Sequence, residues 1–194
     1  MSRARVLAAA AAGYLLGTFP SADVAARIAT RGAVDLREAG SGNPGGLNAL
    51  QVLGQKWGAA VMVADIAKSA AAGFAGRAIA GDDGAYAAAT ASIAGHIWPV
   101  WSGFRGGKGV ASSGGAILST FPAFFPFQVA SGVVTSGRSR DPALVVRFTA
   151  VVWIASAALW VRTGWSNAWG AEPDARLVAA AVVSSGMILS QFRG

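Results

Sequence analysis

Trp57-Gly-Ala-Ala-Val-Met-Val-Ala-Asp65-Ile-Ala-Lys68-Ser-Ala-Ala-Ala-Gly-Phe-Ala-Gly-Arg77-Ala-Ile79 is the stretch that decides the fold. At 1.5 Å per residue it is long enough to cross a hydrocarbon core of about 30 Å as a helix, and it is almost wholly apolar. Asp65 and Lys68 stand at i and i+3 and so share a helical face, where they can pair. A charge near the bilayer centre costs at least about 2.5 kcal/mol on the insertion scale, so charged groups there normally face a bundle interior or a watery cavity. The competing reading is a mutually neutralising structural pair at the membrane boundary.

Similar windows lie on either side. They run from Val6 to Ile28, from Ala85 to Phe104, from Val110 to Val134, from Ala143 to Val161 and, shorter, from Leu177 to Leu189. Pro20 and Asp23 interrupt the first window, and Pro122 and Pro126 make the fourth either one kinked helix or two shorter pieces. Ser2 to Ala12 has the head of a signal peptide, but several spans follow and no clean cleavage site ends the run. The expected architecture is an all-α, polytopic integral membrane bundle of about six or seven transmembrane helices, forming a single domain over 1–194.

Composition agrees. Of 194 residues, 54% are hydrophobic and only 13% charged, about half the charged share of a soluble domain, while Gly 26 suits closely packed membrane helices. With Cys 0, disulfides, thiolate metal sites and a cysteine nucleophile are excluded, and the single histidine, His96, excludes a site that needs two imidazoles. The net charge of +7 is scattered between apolar stretches rather than gathered on one face, which fits loops beside anionic lipid better than nucleic acid. Lysine is scarce beside arginine, which draws attention to Lys56, Lys68 and Lys108.

Two connections are rich in glycine. Gly40-Ser41-Gly42-Asn43-Pro44-Gly45 matches the dinucleotide fingerprint G-x-G-x-x-G only formally, because charged Asp35-Leu-Arg-Glu38 precedes it where a buried strand belongs. Its glycine amides, the Ser41 hydroxyl and the Asn43 and Asn48 side chains make a nest of donors suited to an anion; a tight interhelical turn with capping Asn and Ser is the plainer alternative. Gly103-Phe-Arg105-Gly106-Gly107-Lys108-Gly109 lacks the spacing and the Ser or Thr of an ATP phosphate loop. It still places glycine amides, a helix start at Val110 and a lysine together, which favours anionic oxygen, although a basic turn anchoring a helix to headgroups has the same composition. If the first four spans each cross once, both glycine loops share one side and the acidic turn at Gly81 to Gly84 lies opposite. The Lys/Arg bias then puts the glycine loops in the cytoplasm, with Arg3, Arg5, Arg138 and Arg140 pulling the other way. His96 reads equally as a packed interfacial residue or as a functional one.

These segments, in this order and spacing, resemble one family: the bacterial membrane enzymes that move an acyl group from acyl phosphate to glycerol 3-phosphate, the PlsY acyltransferases. The resemblance rests on Gly13-Tyr-Leu-Leu-Gly17, Val34-Asp-Leu-Arg37 leading into the Gly40–Gly45 loop, Asp65-Ile-Ala-Lys68, Gly95-His96 with Pro99, and Phe104-Arg-Gly-Gly-Lys-Gly-Val110. It implies lysophosphatidate synthesis at the cell membrane with the motif loops facing the cytoplasm, no cofactor and no metal. Implied partners are the two substrates, the bilayer and a soluble acyl-phosphate synthase. By the same resemblance Lys108, Ser41 and His96 are catalytic candidates, and Gly42, Asn43, Gly45, Asn48, Lys68, Arg105, Gly106 and Gly107 are substrate-binding candidates, with Ser41 and the amides of its loop binding glycerol phosphate and Gly106, Gly107 and Lys108 cradling the acyl phosphate. Gln51 occupies a pocket position at which the family carries arginine. The family's third motif, a His-Arg-x-Asn stretch near the C-terminus, has no counterpart before Ser190-Gln-Phe-Arg-Gly194. Acyl phosphate is already activated, so such a site must align and neutralise rather than supply a nucleophile. A catalytically impaired lipid- or partner-binding relative, or an anion transporter, would show the same glycine loops and the Asp65/Lys68 pair.

Overall fold

The computed structural model describes residues 2–139 and 141–192, and those residues form helices joined by turns; Met1, Arg140, Arg193 and Gly194 lie outside them. The helices are α1 (Arg3–Gly17), α2 (Ser21–Thr30), α3 (Gly46–Leu53), α4 (Gln55–Ile97), α5 (Val110–Thr120), α6 (Phe125–Arg138), α7 (Pro142–Thr163) and α8 (Ala175–Ser190). A single 3-10 turn, Val100–Ser102, separates α4 from α5.

Helix α4 is a hairpin. Ala80 and Gly81 leave helical geometry, Gly81 at φ 54° and ψ −149°, a conformation open essentially to glycine alone. On a straight helix Gly76 and Gly84 would stand about 12 Å apart. Here a methyl group added to either would run into the other's carbonyl oxygen, so the chain reverses at Gly81 into two antiparallel arms, 55–79 and 82–97. These arms are the two spans expected on either side of the acidic turn.

Small residues set the packing around this hairpin. Gly13 and Gly17 of α1 lie against the backbone of Ala88 and Ser92, and Gly95 against Tyr14, so α1 and the second arm approach closely enough that no side chain fits between them. Lipid is as apolar as leucine, so close van der Waals contact of this kind is what holds membrane helices together. Gly115 of α5 sits in the same way on Ile66 and Ala70 of the first arm.

Two expected spans divide. Residues 6–28 are not one crossing: α1 ends at Gly17, and Pro20 forces the turn that starts the short α2. Helix α2 buries Ala22, Ala25 and Ala26 and exposes Val24, Arg27 and Ile28, the pattern of a helix lying in the interface. Residues 110–134 are likewise two pieces. Helix α5 ends before Phe121-Pro122, and buried Phe121 and Phe124 stack at 5.1 Å to form the corner into α6.

The passes are then α1, the two arms of α4, α5, α6, α7 and α8, seven among the described residues. At one end lie the loops 31–45 and 98–109. At the other, Arg176 pairs with Asp83 at 2.6 Å, Arg77 with Asp82 at 3.2 Å, and Asn167 donates to the Thr120 carbonyl at 2.9 Å. The sixth span is longer than expected because Asp174 caps it, accepting from the Arg176 amide at 2.8 Å.

A charged cavity where the two glycine loops meet

The break between α1 and α2 creates one wall of the site. Pro20 holds the preceding residues out of the helix, which leaves the Phe19 carbonyl without a helical donor, and Lys68 of the first arm takes it at 2.9 Å. The same Nζ lies 2.9 Å from Asp65 Oδ1 and 2.9 Å from His96 Nδ1 on the last turn of the second arm. The Asp65 approach is an ion contact without hydrogen-bond alignment, since Asp65 Oδ1 is buried with no hydrogen-bond partner. An ammonium has only protons to give, so at 2.9 Å the imidazole Nδ1 accepts. The more distant Asp65 carboxylate, 3.4 Å away, is the lesser neighbour of that nitrogen. This leaves the proton on Nε2, the nitrogen that faces Gly107.

The two glycine loops touch there. A methyl group placed on Gly107 would lie 3.1 Å from the Pro44 carbonyl oxygen and would run into His96 Nε2. Arg37 ties the loops a second time: its Nε donates to the Arg105 carbonyl at 3.1 Å, while its Nη1 pairs with Asp23 at 2.6 Å. Trp101 fastens the second loop to the end of α1, donating from Nε1 to Thr18 Oγ1 at 3.0 Å. Between these walls is a cavity of about 240 Å³ lined by residues 17–23 of the α1–α2 junction, Arg37, Pro44, Asp65, Lys68, His96, Trp101, Gly106 and Gly107.

Of the residues expected from sequence, Lys68, His96, Gly106 and Gly107 line this cavity. The amides of Gly106 and Gly107, expected to cradle phosphate, are instead donated to the carbonyls of Ile97 at 3.0 Å and His96 at 3.1 Å. What these glycines supply is the absence of a side chain next to the imidazole. Asn48 is buried and wholly engaged as a brace: Oδ1 accepts from the Ser41 amide at 2.8 Å, and Nδ2 donates to Leu36 at 2.9 Å and Ala39 at 3.0 Å. Gly42, at φ 70°, and Gly45 shape the same turn, with the Gly45 amide donated to Asn43 at 2.8 Å.

Ser41 is exposed and, like Gly42, Asn43, Arg105 and Lys108, is not part of the cavity wall. The Lys108 ammonium stands 4.4 Å above the Phe192 ring. Gln51 lies on the exposed face of α3, away from the wall. Sequence reasoning passed over Arg37, Asp23, Ser21, Thr18 and Trp101 as site residues. For Asp23 the signal was present as a charge inside an apolar window, and for Arg37 as the basic residue of the Val34–Arg37 segment; nothing local marks Trp101.

The fold and site define an integral membrane protein of the polytopic helical class, with a cavity of paired charges at one end of its bundle. The chain belongs to the glycerol-3-phosphate acyltransferase family, which matches residues 7–194. Among its relatives, the glycerol-3-phosphate acyltransferase of Exiguobacterium sibiricum is 39% identical over 128 residues, 66% of this chain and 61% of that protein. That of Thermoanaerobacter pseudethanolicus is 35% identical over 148 residues, 72% of this chain and 74% of the other. The chain therefore aligns with somewhat less than two thirds of the first of these relatives. Its structure resembles the crystal structure of PlsY (YgiH), an integral membrane glycerol 3-phosphate acyltransferase, in the glycerol 3-phosphate form, with a TM-score of 0.78 and 27% identity over 97% of this chain and 88% of that one. The lysophosphatidic acid form gives a TM-score of 0.78 at 26% identity.

Proposed function

We propose that this chain transfers an acyl group from acyl phosphate to the hydroxyl of glycerol 3-phosphate, producing 1-acyl-glycerol 3-phosphate. The observation that carries the reading is the meeting of the two glycine loops at Gly107 and Pro44, above the Asp65–Lys68–His96 cluster. Both substrates are phosphorylated, and one enclosed space with Arg37, Lys68 and the His96 Nε2–H on its walls suits a reaction that aligns two anions. The mixed anhydride needs no protein nucleophile. The substrate hydroxyl attacks the acyl carbonyl, phosphate leaves with the C–O bond electrons, and the hydroxyl proton passes to a phosphate oxygen. The chain's part is orientation and charge stabilisation.

In this reading Lys68, paired with Asp65, fixes the His96 imidazole, and His96 is the neutral donor facing the leaving phosphate. Lys108 follows Gly107 and Ser41 stands three residues before Pro44 on the same two loops, and these side chains hold the parts of the substrates that extend past the wall. The loops face the cytoplasm of the cell membrane. Arg27, Arg31, Arg37, Lys56, Arg105, Lys108 and Arg138 lie at that end of the bundle and outnumber the basic residues at the other, which supports this orientation. A soluble acyl-phosphate synthase would deliver the donor at the same end.

The test is purified protein with acyl phosphate and glycerol 3-phosphate, following lysophosphatidate formation. Turnover that Lys68→Met removes and Lys108→Ala reduces supports the proposal; binding without turnover in the wild-type chain overturns it in favour of the impaired relative.

A further inference from the structure

The charged side chains of the cavity cancel in pairs. Arg37 lies 2.6 Å from Asp23 and Lys68 2.9 Å from Asp65, so a phosphate held here depends heavily on neutral donors. The amides of Gly106 and Gly107 are already committed to backbone carbonyls. The wall formed by α2 is differently provided. This helix begins at Ser21 with no side-chain cap; the Ser21 amide goes to Phe19 at 3.0 Å and the Val24 amide to Pro20 at 3.0 Å, which leaves the N–H groups of Ala22 and Asp23 as first-turn donors. Beside them, Ser21 Oγ is buried without a hydrogen-bond partner, in a residue only 6% exposed that lines the cavity.

We propose that the N-terminus of α2, through the Ser21 hydroxyl and the amides of Ala22 and Asp23, is a subsite for a phosphate-monoester group in this cavity. The inference rests on the acyltransferase reading and adds to it a binding element distinct from both glycine loops. Buried donors without partners are costly, and a phosphate oxygen at a helix N-terminus satisfies them while meeting the positive end of the helix dipole. The Asp23 carboxylate in the same turn would repel that anion if it stood alone; its contact with Arg37 neutralises it. Arg37 thus acts as a positioning residue for α2 as well as a bridge between the loops.

Either substrate brings the required chemistry, and the kinetics separate them. In full-length protein, Ser21→Ala is expected to raise KM about tenfold for one substrate, glycerol 3-phosphate or acyl phosphate, and to leave the other KM within about twofold. The substrate affected is the one whose phosphate sits on α2. Ser21→Cys, close to serine in size but a weak donor, follows Ser21→Ala and guards against a folding defect in the smaller variant. Both KM values unchanged, or both raised together with a lowered Tm, overturns the inference. Should the wild-type chain show no turnover, the acyltransferase reading fails by itself. Calorimetric titration with inorganic phosphate then decides the subsite: binding weakened by Ser21→Ala supports it, and binding equal in both proteins overturns it.

Discussion

Lys68 is the residue on which the site depends. Its side chain, only 8% exposed, lies against buried Asp65, and removing one partner of such a pair leaves the other uncompensated, at a cost of about 3–5 kcal/mol. Lys68→Met is therefore expected to lower Tm and abolish lysophosphatidate formation, while the double variant Asp65→Asn/Lys68→Met recovers most of the Tm and none of the turnover. Thermal unfolding and the activity assay, run on the same preparations, check both halves. Gly107→Ala is the complementary case. Its methyl group would strike the buried His96 ring and crowd the Pro44 carbonyl, so activity is expected to fall sharply together with a lowered Tm. At the opposite end, the Asp174 carboxyl is held below the usual carboxylate range chiefly by its hydrogen bond to Arg176, opposed by partial burial. Its contribution to stability is present at neutral pH and is lost as pH falls through that lowered value. Asp174→Ala is expected to cost about 0.5–2 kcal/mol by loss of the α8 cap, and its Tm deficit at pH 7 should shrink below about pH 4.

At the scale of elements, the α4 hairpin carries the architecture. Gly81 has a conformation that an L side chain adopts only under strain, so Gly81→Ala is expected to destabilise by about 1–3 kcal/mol, measured by denaturation in detergent. Gly76→Leu, which would force the arms apart, should be worse and should also remove activity, because the second arm carries His96 and the first carries Lys68. Both arms were readable from hydropathy, and the glycine and two aspartates between them marked the turn. The split of residues 6–28 into α1 and α2 was not readable in the same way. Pro20 announced an interruption, but whether the chain continued across the bilayer or lay down at its surface depended on Ala22, Ala25 and Ala26 finding Leu36, Ala49 and Val61 to pack on.

For the whole molecule, seven passes place the loops 31–45 and 98–109 at one end and residues 164–174 at the other. The chain has no cysteine, so single cysteines report sidedness cleanly. On the proposed orientation, Glu38→Cys is expected to react with a membrane-impermeant maleimide only when the cytoplasmic face is open, and Glu172→Cys from the opposite face. Labelling of both from the same side would refute the topology. Helix α2 and exposed Trp101 border the cavity, an arrangement that in the proposed reaction would let a lipid-like donor and a water-soluble acceptor both reach it.

By itself the sequence determined the class: runs of apolar residues of bilayer length, a single turn of glycine and aspartate between two of them, and two glycine loops on a common side. These are local properties, fixed by the cost of exposing polar backbone to lipid. Four cavity residues, Lys68, His96, Gly106 and Gly107, were among those singled out from sequence, and the rest of the cavity's membership was decided by tertiary structure. Arg37, Ser21 and Trp101 belong to it because α1, α2 and both arms of α4 converge at one end, while Asn48 and the amides of Gly106 and Gly107, chemically suited to a ligand, are engaged by nearer partners in the backbone. A hydrogen-bonding group goes to whichever acceptor the packed chain brings within reach, and that choice is not written in the spacing of residues.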